Sequence, residues 1–548
     1  MVNIPYKIVK SNKLIRKGEI YMIFLCACVL LSCVIANRFS NKIGIPALLF
    51  FMALGMLFGS DGLFKISFDN YYVTNEICTI ALIFIMFYGG FGTKWDTAKT
   101  VAVKSVLLSS VGVIVTAFIT GVFCYYILNF PMLDSFLIGS VISSTDAASV
   151  FSILRSKNLS LKDGTAPMLE LESGSNDPMA FMLTMITLGF MSGTSGISGS
   201  FYMLFSQIFF GIAIGLFVTL IGILSLRKLK IVSDGLETIF ITALILISYS
   251  LSSYFGGNGY LSVYITGIIL GNSKINNKII LVHFFDGVTG LAQILIFFLL
   301  GLLSFPHMMI YSIVPAIFIA LFLTFIGRPL AIFSILLPFK SSIKQCMLIS
   351  WSGLRGAASI VFSIMAIASG AHIQCDLYHI VFMISLLSVA FQGSLLPKIA
   401  KKLDMIDEEN DVRKTFNDYQ EKSPITLMRV FIPEGHSWEN KTVADAAIPS
   451  DSLALIIKRN GENIVPRGNT VIKANDSIIL SIPEYNFQDD INLREIKIDK
   501  FNKWCNKAIE DINLPDDILI TLIKRGQENI IPRGNTVILE DDVVVLYN

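Results

Sequence analysis

The stretch APMLELESGSNDPMAFMLTMITLGFMS, residues 166–192, decides how this chain is read. It is long and apolar enough to cross a hydrocarbon core, which takes about 20 residues of helix. Yet it carries Glu170, Glu172 and Asp177. An ionisable group at the bilayer centre costs at least about 2.5 kcal/mol, so each one inside a span is by default a functional hypothesis. The rest of the chain fits that setting. Of 548 residues 53% are hydrophobic and 15% charged, against about 25% charged in an ordinary soluble protein, and mean hydropathy is +0.67. A soluble protein is excluded, and a net charge of +2 excludes a strongly basic nucleic-acid binder. The 8 cysteines show no CxxC pair and read as small core residues, not metal ligands.

Cutting the chain where Gly, Pro, Asn or charge interrupts the apolar runs gives about thirteen spans. They cover roughly 20–37, 44–59, 74–92, 103–127, 135–155, 166–192, 201–226, 236–255, 259–272, 281–303, 309–337, 344–369 and 377–397. The first span is long and lacks a small-residue cleavage site, so it reads as a retained helix, not a removed signal. Loops after odd-numbered spans carry the bases, among them Lys94, Lys99, Lys157, Lys162, Arg227, Lys274, Lys340 and Lys401. Short basic loops face the cytoplasm. The expected orientation is therefore an amino terminus outside and a carboxyl terminus inside. The tail with Lys7, Lys10, Lys13, Arg16 and Lys17 runs against that rule.

Residues 1–402 thus read as the membrane domain and 403–423 as an acidic linker, followed by a duplication in residues 424–486 and 487–548. LALIIKRNGENIVPRGNTVIKANDSIIL from Leu453 recurs as LITLIKRGQENIIPRGNTVILEDDVVVL from Leu519. Short β-branched runs broken by turn signals predict small α+β units. The aliphatic strand, basic pair, Pro-Arg-Gly turn and late Asp476 or Asp542 resemble the TrkA-C (RCK-C) module. Such modules pair around a small ligand, and the resemblance implies a cyclic dinucleotide or another nucleotide as regulator. Arg459, Arg467, Arg525 and Arg533 could meet its phosphates; they could equally be solvated hairpin charges.

In the membrane domain Asp146, in SSTDAAS, falls midway along the fifth span and Asp177 midway along the sixth. At 1.5 Å per residue both lie about 15–18 Å from the shared basic loop, so they meet near the midplane. Ser173 shares a helix face with Asp177, and Ser143, Ser144 and Thr145 add oxygens of the kind hard cations prefer. Gly174 and Pro178 are expected to weaken the helix there and free carbonyls for a cation. A midplane carboxylate holds either a proton or a cation, and that competition is itself an exchange mechanism. Both could instead be neutral hydrogen-bonded core groups. Glu172 with Arg328 or Arg355 reads as a buried compensating pair.

STDA (Ser144–Ala147), ESGSND (Glu172–Asp177), Gly327-Arg328-Pro329 and WSGLRGA (Trp351–Ala357), in that order, resemble the cation:proton antiporter superfamily and its NhaP-type exchangers. The resemblance implies an all-α membrane domain of inverted repeats with broken crossing helices, working as a homodimer by alternating access. It implies that Asp177 binds ion and proton with Asp146, Thr145 and Ser173 in support. Asn176 marks the branch that is usually electroneutral, Glu172 and Arg328 form the structural pair, and Arg355 sits near the helix crossing. The stretch MFYGG departs from relatives with an acidic residue where Tyr88 stands here. The expected function is exchange of a monovalent cation, potassium before sodium, for protons in a prokaryotic inner (plasma) membrane, with no catalytic residue, resident metal or cofactor. A ligand-regulated channel is the alternative, though the chain has no TVGYG-like filter; no motif supports a membrane enzyme.

Overall fold

The computed structural model describes residues 27–36, 38, 46–157, 159–194, 196–226, 236–273, 275, 278–407, 425–446, 448–449, 452–459, 462–483, 493–500, 502–512, 514, 518–526 and 528–547. The basic amino-terminal tail, the start of the first expected span and most of the acidic linker lie outside the described residues. The chain divides into two compact units, Met1–Gln420 and Glu421–Asn548.

The first unit is helical. Among the described residues seven helices are long and apolar enough to cross a membrane: Tyr71–Gly92, Ala102–Tyr126, Ile197–Leu224, Glu237–Tyr254, Lys278–Leu302, Pro306–Phe339 and Leu377–Lys402. Shorter apolar helices run over Ala27–Ala36, Ala47–Phe58 and Gly259–Gly271. Small residues let the helices approach closely, as expected where lipid gives no hydrophobic drive between them. A side chain on Gly55 would collide with Gly301, and one on Gly271 with the backbone of Phe91. Phe201, Tyr202, Phe205 and Phe217 of Ile197–Leu224 are exposed, as on a helix that meets lipid.

Two expected spans are interrupted. The fifth is a pair of half-helices, Met132–Val141 and Ala147–Ser156, and the twelfth another, Ile343–Trp351 and Ala357–Ala368. Pro306–Phe339 absorbs Pro329 through a π turn at Leu323–Gly327, which accommodates the hydrogen bond that proline cannot donate. Thr165–Met191 is the contrary case. It stays helical through Gly174 and Pro178, so the expected local unwinding does not occur. Asn258 Nδ2 donates to the Pro178 carbonyl at 2.8 Å and ties this part of the helix to its neighbour, and Ser175 Oγ donates to the Leu171 carbonyl at 2.5 Å. Gly174 has a packing role: a side chain there would strike the Tyr264 ring.

The last membrane helix hands over to a strap. β1 (Ser160–Leu161) lies between the first interrupted helix and Thr165–Met191, and β2 (Ile406–Asp407) pairs with it antiparallel. Met405 is buried in the same cluster as Val150, Leu154 and Leu161, while Asp404 meets Lys162 at 3.0 Å and Lys344 at 3.6 Å. Residues 403–407, expected to open the solvated linker, therefore belong to the membrane unit's surface.

The second unit holds two four-stranded antiparallel sheets of identical order, β3-β6-β4-β5 and β7-β10-β8-β9. Their strands are β3 (Ile425–Phe431), β4 (Leu453–Arg459), β5 (Glu462–Ile464), β6 (Ser477–Pro483), β7 (Leu493–Lys497), β8 (Leu519–Arg525), β9 (Glu528–Ile530) and β10 (Val543–Tyr547). Helix among the described tail residues is one 3₁₀ turn, Ile509–Asp511. The sequence repeat is thus a structural repeat.

Candidate functional site

The two interruptions meet. Residues 142–146 and 352–356 are non-helical, and the Asp146 N–H donates to the Leu354 carbonyl at 2.8 Å. Arg355 Nη1 donates to the Ser143 and Ser144 carbonyls at 2.9 and 2.8 Å. Those carbonyls end the half-helix Met132–Val141, where the helix dipole is negative, so a guanidinium is the matching charge. Arg355 is itself held by its backbone: its N–H donates to Ser388 Oγ, which donates to Gln392 Oε1 at 2.5 Å. Sequence reading passed over both partners. The visible signal was two polar side chains in an apolar span, one turn apart.

Asp146 caps the opposite half-helix. Its Oδ1 accepts from the Ser149 N–H at 3.3 Å and its Oδ2 from Ser149 Oγ, so its charge lies at the positive end of Ala147–Ser156. Ser149 was not among the expected site residues. Thr145 anchors the neighbouring helix: its carbonyl accepts from Ser173 Oγ at 2.6 Å, and its Oγ1 accepts from Asn176 Nδ2 at 2.5 Å. Asn176 is fully buried and donates one amide hydrogen to this bond, so it ties Thr165–Met191 to the break.

Asp177, one residue on, is 6% exposed. The Ser144 hydroxyl hydrogen-bonds to it, while its Oδ1 has no partner among the described residues. The carboxylate lines a cavity of about 750 Å³ together with Asp146, Thr145, Ser173, Glu170 and Asp286. Among the described residues, four carboxylates and no Lys, Arg or His line that space. Its walls come from Tyr71–Gly92, both breaks, Thr165–Met191 and Lys278–Leu302. Tyr88 lines it too, where the sequence departs from the acidic pattern.

Behind the cavity, Glu172 Oε1 touches Arg328 Nη2 at 2.6 Å with both side chains almost fully buried. The charges meet without the alignment of a hydrogen bond. Gly353 makes room: a side chain there would strike the Arg328 guanidinium. The expected pair is in contact, and it joins Thr165–Met191 to Pro306–Phe339.

In the tail, Arg459 Nε and Nη2 donate to Asp476 at 2.8 and 2.7 Å, and Arg525 repeats this on Asp542 at 2.9 and 2.8 Å. Both carboxylates are fully buried. Burial opposes charge on Asp476, but Arg459 and the Lys473 N–H outweigh it and hold the carboxyl below its ordinary value. At Asp542 the Arg525 guanidinium is the larger influence, with the same result. Of the four arginines expected near a ligand, these two hold their own modules together. Arg467 and Arg533 sit on turns, their N–H groups donating to Thr470 and Thr536 hydroxyls.

Two interrupted helices crossing inside a membrane bundle, beside a cavity of carboxylates without bases, define a cation transporter. Residues 28–402 match the family described as sodium/hydrogen exchanger, transmembrane, and residues 427–487 and 493–547 each match the TrkA-C domain. The chain belongs to the sodium/hydrogen exchanger family: it is a multi-pass membrane cation/proton antiporter with two TrkA-C domains in its tail. It is 34% identical over 451 residues to the K(+)/H(+) antiporter NhaP of Alkalimonas amylolytica, covering 82% of this chain and 78% of that protein. To the K(+)/H(+) antiporter NhaP2 of Shewanella baltica it is 31% identical, covering 81% and 77%. The sodium proton antiporter MjNhaP1 from Methanocaldococcus jannaschii superposes at TM-score 0.59 with 23% identity, over 68% of this chain and 99% of that one.

Proposed function

We propose that this protein exchanges a potassium ion for a proton at Asp177, electroneutrally and by alternating access. The observation that carries this is Asp177 itself: a nearly buried carboxylate that, among the described residues, has one oxygen unpartnered in a cavity whose lining holds no base. Such a group binds a proton or a monovalent cation, and one displaces the other. Thr145, Ser173 and Asp146 shape the site around it. Asn176 cannot take up a proton in place of a second carboxylate, which supports one charge in for one charge out. Glu172 with Arg328, and Arg355 at the crossing, hold the frame against which the site moves.

Potassium is favoured because relatives covering about four-fifths of this chain are named K(+)/H(+) antiporters. Sodium is the second reading, supported by 28% identity over 317 residues to the Na(+)/H(+) antiporter NhaH of Halobacillus dabanensis. The protein works as a homodimer in a plasma membrane, amino terminus outside, and crosses it thirteen times. Its tail, residues 424–548, places a small ligand such as a nucleotide, with Arg467 and Arg533 as phosphate contacts. The functional test is proton movement in everted vesicles, followed with a pH-sensitive dye after pulses of potassium, then sodium. Wild type releases protons on potassium and Asp177→Asn does not. A full response in Asp177→Asn sinks the reading.

A further inference from the structure

Lys278–Leu302 lies across the cavity from Asp177, and one of its faces is out of character. Its buried residues Leu281, Phe285, Ala292 and Ile296 are apolar and follow a helical stripe. Asp286, Thr289, Gly290 and Gln293 form a second stripe, and all four line the cavity. Spacings of three, four and seven residues put them on one face. A carboxylate and an amide along the cavity wall, with a threonine between them, call for an explanation on a membrane helix whose other polar side chains, Lys278 and His283, lie in its first two turns.

Thr289 supplies the independent sign. Threonines in membrane helices satisfy their hydroxyls on the carbonyl four residues back. Thr116, Thr120, Thr184, Thr187 and Thr219 all do so here at 2.6–2.8 Å. Thr289 does not. Its Oγ1 is buried, the residue only 8% exposed, and it has no partner among the described residues. Beside it Gly290 keeps the wall open: a Cβ there would meet nothing within 4 Å. Asp286 is exposed, toward the end of the helix that begins at Lys278, and Gln293 lies about 10 Å farther along the axis.

We propose that Asp286, Thr289 and Gln293 form a recruiting wall for the transported alkali cation. Asp286 draws the ion from water at the mouth, and the Thr289 and Gln293 oxygens replace part of its hydration on the way to Asp177. The wall positions substrate and takes no part in proton exchange. This inference rests on Asp177 being the exchange site, as proposed above. A charge at a mouth raises the local concentration of counter-ions, and salt screens that effect.

The test uses the full chain in proteoliposomes. Initial exchange rates are measured against potassium, then sodium, at low ionic strength set with N-methylglucamine chloride. Asp286→Asn raises the apparent KM roughly 3- to 10-fold and changes kcat much less. The gap narrows as N-methylglucamine chloride is raised, and Asp286→Glu restores the KM. Thr289→Val raises KM by a smaller factor that does not respond to ionic strength. Loss of exchange in Asp177→Asn with an unchanged KM in Asp286→Asn overturns this inference and leaves the exchange site standing. A kcat loss in Asp286→Asn that ionic strength does not alter, with KM unchanged, also overturns it. Wild-type exchange in Asp177→Asn fails the underlying reading, whatever Asp286 does.

Discussion

Gly356 and the Asp146 carboxylate occupy adjoining space so closely that a methyl group on the Gly356 Cα would overlap Asp146. The two breaks can cross only because one of them carries no side chain at that point. Gly356→Ala is therefore predicted to push Asp146 off Ser149 or spread the breaks. The overpacking costs about 1–3 kcal/mol, and exchange falls at least tenfold while the protein still inserts. Transport assayed beside detergent-solubilised melting separates the two effects. Melting and exchange both at wild-type level would contradict the geometry.

Glu172 and Arg328 are a buried pair, and removing one partner leaves the other charge uncompensated. Glu172→Gln or Arg328→Gln is predicted to destabilise the membrane unit by about 3–5 kcal/mol, read as a lowered melting temperature in detergent. The double replacement Glu172→Met with Arg328→Met is predicted to recover much of that loss. If each single change were neutral, the pair would have no structural role.

In the tail, Asp476 and Asp542 are held below their ordinary value by Arg459 and Arg525. A carboxylate depressed in the folded state contributes stability above its unfolded value of about 3.9 and loses it as pH falls through the folded value. The tail is predicted to be steady from pH 8 to about 5 and to loosen below about pH 4. Arg459→Gln loosens the first module already at neutral pH. Limited proteolysis of the full chain across this range reads both.

Ser160 pairs with Asp407 and Leu161 with Ile406. A Ser160→Cys, Asp407→Cys protein is predicted to cross-link under mild oxidant, and Ser160→Cys with Lys402→Cys is not. Peptide mass spectrometry tells the new bond from the native cysteines. Asp404→Ala alone should matter little, since exposed ion pairs contribute little.

The carboxylates were legible because charge inside an apolar run is costly and rare, which singled out Asp146, Glu172 and Asp177 before any geometry. The repeat was legible because two copies share spacing and turns. The breaks were expected only through the family resemblance; span counting alone ran the fifth and twelfth spans as continuous helices. Residues 142–146 and 352–356 carry polar, charged and glycine residues, but a spacing count does not place the exact ends of the half-helices, because each break is held by a partner about 200 residues away. Gly174 and Pro178 misled in the other direction, because packing against Tyr264 and the bond from Asn258 hold that stretch helical, and local sequence shows neither. The strap's strands are two residues each, too short to carry a pattern. Arg459 and Arg525 read as candidate phosphate ligands; the buried Asp476 and Asp542 that receive them are 17 residues further along, placed by strand pairing.

The most direct test of the central claim is simultaneous recording of lumen pH and membrane potential in proteoliposomes under an imposed potassium gradient, for wild type and Asp177→Asn. The account predicts that potassium moves protons without generating a potential, and that Asp177→Asn abolishes both fluxes while melting like the wild type. Proton movement that persists in Asp177→Asn, or potassium flux that charges the membrane without moving protons, would contradict it.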